Sequence, residues 1–157
     1  MEEADGGVCV QFSLSIEYAI HGLVYLASGN SGAATLVGDI AKATSVPESY
    51  LRKVFQLLAR AGLVSSHRGV KGGFSLARVP AEITLKDVVE AIDGSLPAYT
   101  CLKTARGCSL DEACPVSSAF AAARQKMAEV LDATTIGDLT RGISRRSAGW
   151  LKVTECA

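Results

Sequence analysis

The sequence predicts a mostly α-helical fold with a small β wing: a winged helix-turn-helix followed by a long C-terminal dimerisation helix. Three observations predict it. A short helix, a tight turn and a strongly two-faced helix occupy residues 36–61, and a glycine-rich hairpin, Arg68-Gly69-Val70-Lys71-Gly72-Gly73-Phe74, comes next. A near-heptad apolar stripe then runs through Val116, Phe120, Ala123, Met127, Val130 and Leu131. The length of 157 residues suits one domain, or one small domain with an arm, and 48% hydrophobic content supplies a core for it. Residues 1–11 read as a flexible lead-in, 12–80 as the winged helix-turn-helix and 81–143 as a cysteine loop with the dimerisation helix. Residues 144–157 read as a tail.

Element by element, Ile16, Ile20, Leu23, Val24 and Ala27 follow helical spacing from Leu14 to about Ala27. Ser28–Ala34 is a loop by composition. A helix over Leu36–Ala43 leads into the turn Thr44-Ser45-Val46. Ser45 with Glu48 reads as a capping box, and Pro47 suits a first helical turn. The next helix runs to about Ala61 and stops at Gly62. Leu51, Val54, Phe55 and Leu58 build its apolar face, while Ser49, Arg52, Lys53, Gln56 and Arg60 share the opposite one. An isolated helix of this kind is ordinary exposed surface. A preceding turn and a following wing make it a reader of base edges and phosphates.

Leu63–His67 and Phe74–Arg78 read as the wing strands, with Phe74 and Leu76 alternating against Ser75 and Ala77. Gly69, Gly72 and Gly73 permit the tight tip, where Arg68 and Lys71 sit. These glycines match neither a Walker A loop nor a dinucleotide fingerprint, so nucleotide binding is rejected. Thr84–Ile92 is a short amphipathic helix opened by Thr84, and a long helix starts at Pro115. Its stripe is expected to bury itself in a second copy of the chain.

Net charge is zero, yet residues 48–78 carry Arg52, Lys53, Arg60, Arg68, Lys71 and Arg78 against Glu48 alone. A local basic patch over a helix-turn-helix pattern is an electrostatic footprint for nucleic acid. The candidate DNA contacts are Ser49, Tyr50, Arg52, Lys53 and Gln56 on the second helix, with Arg68 and Lys71 on the wing. The acidic start shows no signal-peptide pattern, and Leu14–Leu26 is too short to span a bilayer and carries Glu17 and His21. A cytoplasmic, non-membrane protein is expected. A cysteine-nucleophile enzyme is disfavoured: His21 and His67 are the only histidines, which leaves few candidates for a Cys–His dyad.

Five cysteines in a reducing compartment point to metal or redox chemistry rather than a disulfide framework. Cys101, Cys108 and Cys114 have the spacing C-x6-C-x5-C. No pair has the short knuckle spacing of a structural zinc site, and longer gaps suit the larger perimeter of an iron–sulfur cluster. Three unligated thiols, able to switch through a disulfide, are a nearly equal reading of the spacing. Three thiolates also leave one ligand to be found elsewhere.

Several segments together resemble the Rrf2 family of winged-helix transcription regulators. They are Tyr18-Ala19, Val46-Pro47-Glu48-Ser49-Tyr50-Leu51, Leu58–Ser66, Arg68-Gly69 with Gly72-Gly73-Phe74, Ile83–Val89 with Ala91-Ile92-Asp93, and Thr135–Leu139. The resemblance covers about residues 12–143. It implies a homodimeric DNA-binding regulator, more often a repressor, that binds a pseudo-palindromic promoter site in double-stranded DNA. It also implies a 2Fe–2S or 4Fe–4S cluster on Cys101, Cys108 and Cys114, sensing redox state, nitric oxide or iron–sulfur status. The first cysteine gap is one residue longer than the family's usual gap. IscR-like members carry a histidine three residues after the last cysteine, where this chain has Ser117. NsrR-like members use a carboxylate early in the first helix of the other subunit, a position held here by Glu17, with His21 one turn beyond. The resemblance thus points to Glu17 of the partner subunit as the further ligand, with His21 an additional ligand or a supporting group. The alternative within the family is a cluster-free thiol switch or a partner-binding regulator of the CymR type.

Overall fold

The computed structural model of the chain describes residues 12–29, 32–69, 72–96 and 114–143. Helix α1 spans Leu14–Ser28, α2 Val37–Thr44 and α3 Glu48–Arg60. Strands β1 (Val64–His67) and β2 (Gly73–Leu76) pair antiparallel, with Val64 opposite Leu76 and Ser66 opposite Phe74. A 3-10 turn at Pro80–Glu82 leads to α4 (Leu85–Asp93), then α5 (Pro115–Ala133) and α6 (Ile136–Ile143). None of the described helices is long and apolar enough to cross a membrane. The expected elements stand within a residue or two of their expected bounds. Helix α6, which the reading of the tail end did not separate from α5, is an addition.

The core forms where three helices meet the wing. Leu51, Val54, Phe55 and Leu58 of α3 are all buried, as their spacing requires, against Leu23 and Val24 of α1, Ile40 of α2, and Leu63, Val64 and Phe74 of the wing. Helix α1 approaches α3 so closely that a side chain at Gly22 would begin 2.6 Å from Phe55 Cε2. The wing is fastened to the head of α2 by two backbone bonds, Thr35 N–H to Phe74 O and Phe74 N–H to Thr35 O, each 2.9 Å. Gly73 at φ 158° is required there, because a Cβ would stand 2.1 Å from Thr35 O.

The expected capping box at Ser45 and Glu48 does not form. Ser45 takes the left-handed conformation (φ 60°) as the C-cap of α2, and its N–H bonds Ala41 O. The turn between α2 and α3 is so short that the residue needed to end one helix cannot also cap the next. Pro47 is the residue that precedes α3, without a side-chain cap, and Glu48 turns to Arg52 instead. Two capping boxes do form further on. Thr84 and Asp87 exchange bonds of 3.1 Å at the start of α4, and Thr135 and Asp138 do the same at the start of α6 (3.0 and 3.1 Å). These two helix starts are stitched together by Leu85 N–H to Thr134 O and Ile136 N–H to Ile83 O, both 2.9 Å.

Helix α5 joins the body through one half of its length. Met127, Ala128 and Leu131 pack on a second small core made by Ile16, Val89 and Leu96. Leu96, 4% exposed, is the last described residue before the cysteine segment. The remainder of the expected stripe is open: Val116, Phe120 and Val130 are each half exposed or more. No residue of α5 is buried in the single chain.

Candidate nucleic-acid interface and cysteine segment

The polar face of α3 is determined by the face it buries. With Leu51, Val54, Phe55 and Leu58 committed to the core, the 3.6-residue period sends Ser49, Arg52, Lys53, Gln56 and Arg60 outward, and all five are exposed. Tyr50 is 40% exposed at the edge of this face. Arg68 follows β1 and is exposed, while Lys71 lies outside the described residues.

Helix α3, the start of α2 and the wing enclose a cleft of about 510 Å³. Arg52 and Gln56 line it from α3, Lys42 from α2, and Ser66 and His67 from the wing. The structure thus brings Arg52 and Gln56 of the recognition face together with the wing on one concave surface, while Ser49, Tyr50, Lys53, Arg60 and Arg68 do not line it. His67 is held by a 2.8 Å bond between its Nε2 and Ser75 Oγ. Lys42 was missed by the sequence reading because it precedes the basic stretch that begins at residue 48, and only the turn of α2 against α3 carries it into the cleft. The Arg52 guanidinium bonds Glu48 Oε1 at 2.6 Å.

Helix α1 also touches the reading helix. The rings of Tyr18 and Tyr50 meet edge to face, with centroids 5.4 Å apart and planes at 88°. Ser15 Oγ and Tyr50 Oη are 2.9 Å apart. Tyr18 is flanked on α1 by the candidate ligand Glu17, and the other candidate, His21, lies one turn beyond. Both are partly buried, as expected for residues that share a face of α1 with buried Val24 at i, i+4 and i+7.

Of the three candidate thiols, Cys114 is the N-cap of α5 and partly buried, its carbonyl accepting Ser118 N–H at 3.0 Å. Cys101 and Cys108 lie outside the described residues, as do Cys9 and Cys156. Among the described residues no three His, Cys, Asp or Glu side chains gather closely enough to hold a metal ion. Glu17, His21 and Cys114 therefore do not by themselves form a site within the described part of one chain. As donors, three thiols with a carboxylate and an imidazole fit the thiolate-rich, mixed-ligand chemistry of an iron–sulfur centre.

Comparison with known proteins identifies the family of the chain. Residues 12–142 match the Rrf2 family, described as "Iron-dependent Transcriptional regulator". The chain is 38% identical to Protein aau3 of Rhizobium meliloti (strain 1021), over 79% of this chain and 80% of that protein. It is 34% identical to the HTH-type transcriptional regulator NsrR of Geobacillus kaustophilus, over 83% of this chain and 89% of the relative. Among solved structures it is similar to CymR (YrzC), the global cysteine regulator of B. subtilis. The TM-score is 0.72 at 27% identity, covering 85% of this chain and 98% of that one. It is similar also to T. potens IscR, with a TM-score of 0.69 at 25% identity, covering 93% and 98%. The chain is a transcriptional regulator, not an enzyme, and belongs to the Rrf2 family.

Proposed function

We propose that the chain works as a homodimeric, cytoplasmic, cluster-sensing repressor that reads a pseudo-palindromic promoter site. The observation that carries the DNA part is the cleft where α3 and the wing converge with Arg52, Gln56, Lys42 and His67. In this reading Ser49, Tyr50, Arg52, Lys53 and Gln56 enter a major groove, while Arg68 and Lys71 follow the backbone or minor groove beside it. The dimer part is supported by the α5 stripe of Val116, Phe120 and Val130, large apolar side chains that are each half exposed or more in one chain. It is also supported by the cleft between α4 and α5, whose wall includes Phe120.

For the sensor we propose Cys101, Cys108 and Cys114 as cluster ligands, joined by Glu17 of the partner subunit, with His21 as a further ligand or support. A bound cluster would supply a one-electron centre that also reacts with nitric oxide. What this chain contributes is the linkage from that place to the reading helix. Leu96 plants the base of the cysteine segment in the small core with Ile16 and Val89, and α1 reaches α3 through the Tyr18–Tyr50 contact and Ser15. A shift of α1 or of residue 96 is thereby felt at Tyr50, beside Ser49 and Lys53.

Two experiments test the reading. Combined replacement of Arg52, Lys53 and Arg68 by Ala should cost at least about a hundredfold in affinity for a promoter duplex, since each base-reading contact is worth roughly 1–3 kcal/mol. Retained affinity would refute the groove assignment. Anaerobically prepared protein should be brown and should lose its visible absorption in Cys101→Ser, Cys108→Ser or Cys114→Ser, but not in Cys9→Ser or Cys156→Ser. Its spectrum or cluster lifetime should change in Glu17→Ala or His21→Ala. A second reading, the cluster-free thiol switch, is favoured by the similarity to CymR. Protein without iron or sulfide, whose DNA affinity follows thiol oxidation, would establish that reading instead.

A further inference from the structure

We infer that Glu48 is a specificity-determining residue of the DNA face, holding Arg52 ready for bases and withholding it from phosphates. The inference rests on the DNA-binding reading above. Glu48 is the single acid within the basic stretch 48–78 and opens the very helix that presents the recognition face. A first-turn carboxylate usually serves a capping role. Here Ser45 ends α2 and Glu48 makes no cap bond.

Its carboxylate instead lies between two elements of the cleft. Oε1 accepts from Arg52 Nη2 at 2.6 Å, and Oε2 lies 3.3 Å from where a side chain at Gly38, in the first turn of α2, would begin. The absence of a side chain at residue 38 leaves room for that placement. Both Glu48 and Arg52 line the cleft. Arg has five N–H donors in a rigid fork, so one bond to Glu48 leaves others for the O6 and N7 acceptors of a guanine. A phosphate approaching the same guanidinium must bring its negative charge close to the Glu48 carboxylate, whereas a guanine edge is neutral. The cost therefore falls more heavily on DNA held only through its backbone than on DNA read through its bases.

The side chains are 56% and 51% exposed, so the pair is a modest device. An exposed i,i+4 pair of this kind corresponds to about a twofold change in an equilibrium. The test uses the full chain with two probes: a duplex selected by the wild-type protein from a random pool, and a scrambled duplex of the same composition. Binding is measured over a series of salt concentrations. Glu48→Gln should tighten the scrambled duplex at least about twofold and steepen its salt dependence by close to one counterion, the signature of a new phosphate contact. Affinity for the selected duplex should stay level or fall, so the ratio between the two drops. Gly38→Ala, which keeps the charge but crowds Oε2, should lower the ratio in the same direction and serves if Glu48→Gln folds poorly. In an Arg52→Ala background Glu48→Gln should leave the ratio unchanged. An equal effect on both duplexes, or an undiminished effect without Arg52, overturns the inference. Wild-type binding that ignores Arg52 and Arg68 altogether would instead refute the DNA-face reading on which it rests.

Discussion

Gly22→Ala sets two known effects of opposite sign against each other. The substitution places a methyl group in mid-α1 at 2.6 Å from Phe55 Cε2 and 2.8 Å from Cζ. Carbon atoms in good contact sit about 3.5–4.0 Å apart, so roughly 1 Å must be recovered by displacement. Phe55 has no free direction in which to move: it is fully buried, and its ring leans on Phe74 with centroids 5.0 Å apart. Such overpacking belongs at the upper end of a range of about 1–3 kcal/mol. The helix gains about 1 kcal/mol from losing a glycine. The net is a destabilisation of about 1–2 kcal/mol, which for a chain of this size lowers Tm by roughly 2–8 °C. Gly142→Ala is the matched control. Residue 142 is exposed in α6, and nothing stands within 4 Å of its would-be Cβ. There only the propensity gain applies, at most about 1 kcal/mol so near the helix end. Thermal and urea unfolding at one protein concentration would compare the two. A Gly22→Ala protein as stable as wild type, beside a stabilised Gly142→Ala, would show that α1 and α3 are not packed as described.

The capping boxes make a second prediction: Thr84→Ala should cost about 1 kcal/mol by releasing the Asp87 N–H at the start of α4. Thr135 holds the Asp138 carboxyl below the usual carboxylate range, chiefly through its side-chain and backbone hydrogen bonds and with help from Arg141. The folded-state pKa being lowered, the stability it brings is present above the ordinary Asp pKa of about 3.9 and is lost as pH falls below that through the folded-state value. Carboxylate NMR titration should show the Asp138 pKa return upward in Thr135→Val, and no change would refute the assigned cause. Tyr18→Ala should leave the protein folded but narrow the difference in DNA affinity between cluster-loaded and cluster-free forms. An unchanged difference would remove the Tyr18–Tyr50 contact from the coupling. Phe120→Glu or Val130→Glu on the open face of α5 should shift sedimentation from dimer to monomer, and an undisturbed dimer would place the interface elsewhere.

Most of the fold was legible because it obeys local rules. The period of Leu51, Val54, Phe55 and Leu58 determines both the buried and the exposed face of α3. The glycines at 69, 72 and 73 announce the hairpin, and Thr84 announces α4. Where two local rules compete for one residue, the sequence does not show which wins. Ser45 could cap α3 or end α2, and the shortness of the turn gave it to α2, freeing Glu48 to bind Arg52. The three cysteines stood out by spacing, while Glu17 and His21 were singled out through the family resemblance, and among the described residues Glu17, His21 and Cys114 do not form a metal site by themselves.

Contacts between distant segments were decided by tertiary structure alone. Lys42 enters the DNA-facing cleft because α2 crosses α3, and Tyr18 meets Tyr50 across thirty-two positions of sequence. The starts of α4 and α6 are tied through Thr134 and Ile83. Periodicity and capping depend on neighbours three or four residues away and can be read along the chain. Which side chains meet across a core depends on how whole helices pack, where a missing methyl group at Gly22 sets how closely α1 can approach α3.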